Sequence, residues 1–238
     1  MLRDFVNRIV DLAHPTTFEV DGSVFADKDL VHIMDKKPIP KCIELTGLDS
    51  ICKMVRNEAE HIDLRIFIQV KDHKNVSVFT TLDDDEDRLY LYRCTADTPG
   101  VSIGRYIPYE NAVIELRSLY IPNEDTDYLL QLLSSISKES KVTSTDNGVT
   151  QNVEARAGIA LSSMVAIKPR VKLQPFRTFV EVEQPESEFL LRISEHGEIG
   201  LFAADGGVWK LEATRNVAAY FEEALKDLIE AGTVVVIR

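Results

Sequence analysis

Residues 64–95 read LRIFIQVKDHKNVSVFTTLDDDEDRLYLYRCT, and their alternation decides the fold class. LRIFIQV (64–70), VSVFTTL (76–82) and RLYLYRCT (88–95) are rich in β-branched and aromatic side chains at a period of two, with polar turns between them. Short polar links join neighbouring strands head to tail, so three such runs predict an antiparallel meander. Upstream, Leu48, Ile51, Cys52, Val55 and Ala59 form one helical stripe, and Thr46 is placed to cap it. Downstream, short strands are expected in 101–107 and 112–121. Asn123 then caps a helix through Ile136 whose core face is Leu129, Leu130, Leu132 and Leu133.

Working outward, Leu2, Phe5, Val6, Ile9, Val10 and Leu12 recur at helical spacing until Pro15. This amphipathic helix caps the chain's own core or docks on a neighbouring subunit. Short strands around Asp21-Gly22 and a Pro38/Pro40 loop follow. In the second half, Asp146-Asn147-Gly148 flanked by Val142, Thr143, Val149 and Val153 is a hairpin signal, since Asn-Gly tolerates positive φ. Few large apolar residues lie near its tip, so the hairpin is expected to project from the body. TFVEVE (178–183), EFLLRIS (188–194), EIGLFAA (198–204) and GVWKLEA (207–213) read as four strands. A helix over about 216–230 ends at Gly232, and TVVVI (233–237) returns as a buried strand. The fold class is therefore α+β, with largely antiparallel sheets, three to four amphipathic helices and a hairpin near 141–158. Two arrangements fit: parts at 1–140 and 141–238, or one continuous domain.

Composition narrows the function. The 238 residues carry 27 basic and 39 acidic side chains, so 27 − 39 gives a net charge of −12. That excess opposes general attachment to phosphate backbones or anionic lipid. Cys42, Cys52 and Cys94 are far apart and odd in number, which fits reduced thiols and neither a zinc knuckle nor a disulfide framework. No apolar run approaches a membrane span. Asp4 and Asp11 make the first residues unlike a secretory leader, so a cytoplasmic location is expected.

Catalytic signatures are missing. His14, His32, His61, His73 and His196 have neither zincin spacing nor a cysteine at metal-ligand spacing. GVSIG (100–104) is not a phosphate loop, and no serine sits in a nucleophile elbow. The run Asp83–Asp87 lacks the glycine and the interleaving of a calcium loop and reads as a solvated turn. No cofactor or metal is expected. An enzyme assembled from dispersed residues would draw on Asp205, Glu212 and His196.

One segment stands out. Ala157–Val180 has no acidic residue, and within IKPRVKLQPFR (167–177) Lys168, Arg170 and Lys172 alternate, which places them on one strand face. Pro169 restricts that strand to an edge or an irregular stretch. Three readings compete: cross-strand pairing with neighbouring acids, contact with another copy of the chain, or capture of an anionic ligand by the strip with Phe176 and Phe179, and Arg177 is counted among the candidate interaction residues. Asp146, Asn147 and Gly148 at the hairpin tip complete the candidate interaction residues.

The helix LTGLDSICKMVRNEAEHI (45–62) leads into paired strands. NEDTDYLLQLLSSI (123–136) feeds the hairpin TSTDNGVTQNVEARAG (143–158), and PFRTFVEVEQPESEFLLRIS (175–194) follows. Over 43–238 this order resembles the YfdQ-like family of phage and prophage proteins. The resemblance implies a phage origin and supplies no catalytic residue. The expectation is a non-enzymatic, phage-derived protein that self-associates into a homo-oligomer. The alternatives are a binding module for a small anionic ligand such as a nucleotide, or for a host or phage protein, and a single-stranded nucleic-acid accessory protein. The acidic charge disfavours nucleic acid, and no membrane partner is expected.

Overall fold

The computed structural model describes residues 2–13, 15–20, 23–27, 40–83, 86–137, 141–146, 151–157, 160–194 and 197–238. The chain divides into two units, Met1–Ile39 and Pro40–Arg238.

In the first unit, helix α1 (Leu2–Ala13) precedes β1 (Thr17–Val20), which pairs antiparallel with β2 (Ser23–Ala26). The open end of the hairpin is tied by the Thr16 N–H, which donates to the Asp27 carboxylate at 2.8 Å. Asp21, Gly22, Pro38, His14 and His32 lie outside the described residues.

The second unit opens with β3 (Ile43–Leu45), α2 (Leu48–Glu58) and the expected meander, β4 (Ile66–Val70), β5 (Asn75–Thr80) and β6 (Tyr90–Thr95). Both meander pairings are antiparallel. Two parallel strands flank it, β3 beside β6 and β15 (Val234–Ile237) beside β4, which gives the order β15-β4-β5-β6-β3. Alternation puts Ile66, Ile68 and Val70 inside. They pack in one core with Leu48, Ile51 and Val55 of α2 and with Val217, Ala218 and Phe221 of α5 (Trp209–Ala224). Burying each such side chain stabilises the fold by about 1.5–3 kcal/mol. The turn before β6 holds Glu86 at φ 62° and is closed by the Asp87 N–H on the Asp83 carboxylate at 2.9 Å. Asp84 and Asp85 are outside the described residues.

The second sheet is antiparallel throughout. It runs β7-β14-β13-β12-β8, from β7 (Tyr106–Ile107), β14 (Ile199–Ala203), β13 (Ser187–Ile193) and β12 (Arg170–Pro175) to β8 (Tyr120–Ile121). Its core joins Val171, Leu173, Phe189 and Leu191 to Leu116 of α3 (Tyr109–Ser118) and to Leu129 and Leu133 of α4 (Glu124–Ser137). Asn123 caps α4 as expected: its side-chain oxygen accepts the Thr126 N–H, and the Thr126 hydroxyl accepts the Asn123 N–H. Both cores draw on residues from either side of position 140.

The expected hairpin is present in a third sheet. Here β9 (Lys141–Asp146) pairs with β10 (Gln151–Ala157), and β10 also pairs with β11 (Ala160–Ala166), a strand not foreseen. Asn147 and Gly148 lie outside the described residues, as does His196.

Five local expectations are corrected. The strands foreseen across 101–107 and 112–121 shrink to the two-residue β7 and β8, because Pro108 starts a helix between them and Ala112 and Leu116 bury one of its faces. TFVEVE is not a strand. Gln184, itself buried, accepts the Arg177 and Thr178 N–H groups and donates to the Phe179 and Val182 carbonyls, so the backbone coils around one amide. GVWKLEA is not a strand either: Gly206 and Gly207 turn at positive φ, and α5 starts at Trp209 with Trp209, Ala213 and Val217 on its buried face. The helix foreseen from 216 thus begins seven residues earlier and is interrupted at Leu225 before α6 (Lys226–Glu230). Finally, Gly47 and not Thr46 is the N-cap of α2, and the Glu181 carboxylate, 133 residues away, accepts the Leu48 N–H at 2.8 Å.

Among the described residues no helix is long and apolar enough to cross a membrane. Cys42, Cys52 and Cys94 are free.

A basic groove as the candidate functional site

Arg170 and Lys172 of the basic strip lie on β12 and Lys168 lies two residues before it, and each of the three cations meets a carboxylate. Lys168 Nζ lies 2.6 Å from Asp125, Arg170 Nη1 3.0 Å from Glu188, and Lys172 Nζ 3.2 Å from Glu186. The Asp125 carboxylate also accepts the Lys172 N–H at 2.6 Å. Burial pushes the Asp125 carboxyl up, but these bonds and charges outweigh it and hold the group below the usual range. The geometry is that of local charge neutralisation, but only Arg170–Glu188 is the cross-strand pairing of the first reading, since Asp125 belongs to α4 and Glu186 precedes β13. Phe176 is half-buried.

Arg177 lies inside. It is 8% exposed, its guanidinium carbon sits 3.8 Å from the centroid of the Trp209 ring and 5.7 Å from that of Phe189, and Nη2 donates to the Ser187 hydroxyl. Burial pulls its pKa down to about 10, against the opposing pull of Asp205 and Tyr120, so it stays charged at neutral pH. Asp205 is held low: burial raises it, and the Gly207 N–H, the Ser187 hydroxyl and Arg177 together outweigh that. Of the dispersed enzyme candidates, Asp205 is thus engaged in this internal network, and Glu212 is exposed on α5.

A different set of cations converges. Lys71, Lys210, Arg215 and Arg238 line one groove of about 710 Å³ with Val70, Asp72, His73, Leu211 and Thr214. Parallel pairing of β15 with β4 sets Ile237 beside Gln69, which brings Arg238 alongside the strand end that carries Lys71. The first two turns of α5 supply Lys210, Leu211, Thr214 and Arg215. All four cations are exposed, and none forms an ion pair with a described carboxylate. The one carboxylate side chain in the lining, Asp72, is occupied by its own turn and accepts the Lys74 N–H at 2.7 Å and the Asn75 N–H at 3.0 Å. His73 is held neutral at neutral pH, first by burial and then by Lys210, Lys74 and Arg177, with Asp72 opposing. Its ring meets Trp209 edge-on at 4.7 Å, which fixes the groove wall to the Arg177 network.

Other concavities offer less chemistry. One of about 10 Å³ between Ser102, Glu115 and Tyr120 has room for one water molecule at most. A second, of about 460 Å³, contains Arg105 and Glu115, which both bond to Ser102. Among the described residues no group of three or more histidine, cysteine, aspartate or glutamate side chains is placed to hold a metal ion.

Sequence reasoning missed the groove because its cations stand at positions 71, 210, 215 and 238, where no spacing rule applies. No family model, curated protein or solved structure matches the chain.

Proposed function

We propose that this chain is a binding protein whose basic groove captures an anionic ligand, without turnover. The observation that carries the reading is the contrast in charge pairing. In a chain of net charge −12, Lys168, Arg170 and Lys172 are each neutralised by an acid, whereas Lys71, Lys210, Arg215 and Arg238 share one groove with a single acidic side chain that is already bonded. Distant acids weigh little at physiological salt, where charges more than about 8 Å apart are screened. The test is a melting-temperature screen against small polyanions at low salt. A shift that fades with added salt and disappears in Lys210→Glu/Arg215→Glu is expected; no shift with any polyanion at millimolar concentration rejects the reading.

A second reading, self-association, is favoured by α1, where Leu2 is 80% and Phe5 63% exposed on a helix with an apolar stripe. Light scattering reports on it directly: an oligomer that Phe5→Glu dissolves supports it, and a monomer at high concentration counts against it. Kinship with phage proteins of the YfdQ-like kind and a cytoplasmic site of action belong to this proposal and are compatible with either reading.

A further inference from the structure

We infer that the groove selects ligands with two linked phosphate groups, a pyrophosphate or the diphosphate end of a larger molecule, over a single phosphate. The inference rests on the anion-binding reading above and takes it from charge to ligand class. Its basis is the spacing of the cations. Lys210 and Arg215 are five residues apart on α5, about 7.5 Å along the axis at 1.5 Å per residue, and Leu211 and Thr214 lie between them on the same wall. At 100° per residue they flank that wall from opposite sides. The register that sets Ile237 beside Gln69 puts Arg238 level with Val70, one residue before Lys71, on strands that run about 4.8 Å apart.

The result is a helix pair and a strand-end pair of donors around one groove. A single phosphate carries less charge and fewer oxygens than four cations can engage, while a second linked phosphoryl group supplies more of both, and each added charge-assisted bond is about twice as strong as a neutral one. Arg215 and Arg238 present planar forks that suit two oxygens of one phosphoryl group, and Lys71 and Lys210 act as mobile point charges. The Thr214 hydroxyl already donates to the Lys210 carbonyl at 2.8 Å, so it meets a ligand as an acceptor of a protonated oxygen. The one ring in the lining, His73, is packed against Trp209, whose own face is covered by Arg177. The groove therefore offers no stacking surface for a base.

Titration calorimetry at low salt with a metal chelator present, using orthophosphate, pyrophosphate and ADP, tests this. Pyrophosphate is expected to bind at least about tenfold more tightly than orthophosphate, with ADP within about threefold of pyrophosphate. Lys210→Gln and Arg215→Gln, each checked for an unchanged melting temperature, should cost pyrophosphate at least about fivefold and orthophosphate less than about twofold. Equal affinity for the two inorganic anions overturns the two-phosphate inference and leaves the anion site standing. No heat from either anion overturns both. ADP binding far more tightly than pyrophosphate overturns the absence of base recognition and shifts the ligand class to nucleotides.

Discussion

The Arg177 guanidinium sits over the Trp209 ring, with its central carbon 3.8 Å from the ring centroid. This contact joins the exit of β12 to the first turn of α5. Thr178, the next residue, donates its hydroxyl to the His73 carbonyl, so the same junction reaches the loop after β4. A buried cation is tolerated here because a ring face, the Ser187 hydroxyl and the Asp205 charge replace part of its lost hydration.

Arg177→Ala is expected to lower the unfolding free energy by about 2–4 kcal/mol, since it leaves a cavity beside Trp209 and removes a partner from Ser187 and Asp205. Arg177→Lys should recover less than half of that loss, because an ammonium neither stacks on indole in the same way nor presents a planar fork. Urea denaturation with an unchanged slope is the measurement. A loss under 1 kcal/mol for Arg177→Ala would show that the junction carries little stability.

Gln184 organises the segment that sequence alternation misassigns. Its amide makes four bonds to main-chain groups between Arg177 and Val182. Gln184→Ala should cost about 2–4 kcal/mol. Gln184→Glu should cost more at pH 7 than at pH 4, because a carboxylate faces the Phe179 and Val182 carbonyls that now receive N–H donors. Equal losses at both pH values would mean that the donors at this position are dispensable.

Asp125 gives a pH dependence with a definite sign. Its folded pKa lies below the ordinary 3.8, so the unfolded chain takes up the proton first as pH falls. The stability it contributes is complete above about pH 4–5 and is lost as pH drops through the folded value. Asp125→Asn should therefore be less stable than the parent near pH 7 and converge towards it as pH falls through the folded value. A constant difference across that range would show that the carboxylate charge is not what matters.

Burial comes first among the causes that push the Cys52 and Cys94 thiols up to about 11, and nearby carboxylates add to it. Both are buried, while Cys42 is partly exposed. Native protein treated with a thiol reagent near pH 8 should show one fast thiol, at Cys42, and two that react only on unfolding. Three fast thiols would indicate that the core between α2 and the meander opens readily.

Much of the fold was legible because local pattern and tertiary outcome agree. The alternation of Ile66, Ile68 and Val70 and the cap at Asn123 needed no distant partner. The errors fall where a contact outside the local hydrophobic pattern decides the conformation. Val180 and Val182 alternate like a strand, yet Gln184 coils them, and Glu181 is taken by the start of α2. Trp209–Ala213 fits two periods in so short a window, and burial against the sheet selects the helix. The basic strip was legible as residues but not as chemistry, since Asp125, its main partner, stands 43 positions before Lys168. The groove was illegible for the converse reason, because only the pairing of β15 with β4 and the seat of α5 collect its four cations.

The edge that β15 closes has a consequence during synthesis. A ribosome releases β4, β5 and β6 long before residues 234–237 exist, so for about 160 residues of elongation the outer rim of β4 has no neighbour to bond with. The nascent meander must survive that interval with an adhesive border, and molecules crowded on one message meet it first. The final strand is thus a late seal, and a chain stalled before it emerges is the form most prone to clumping.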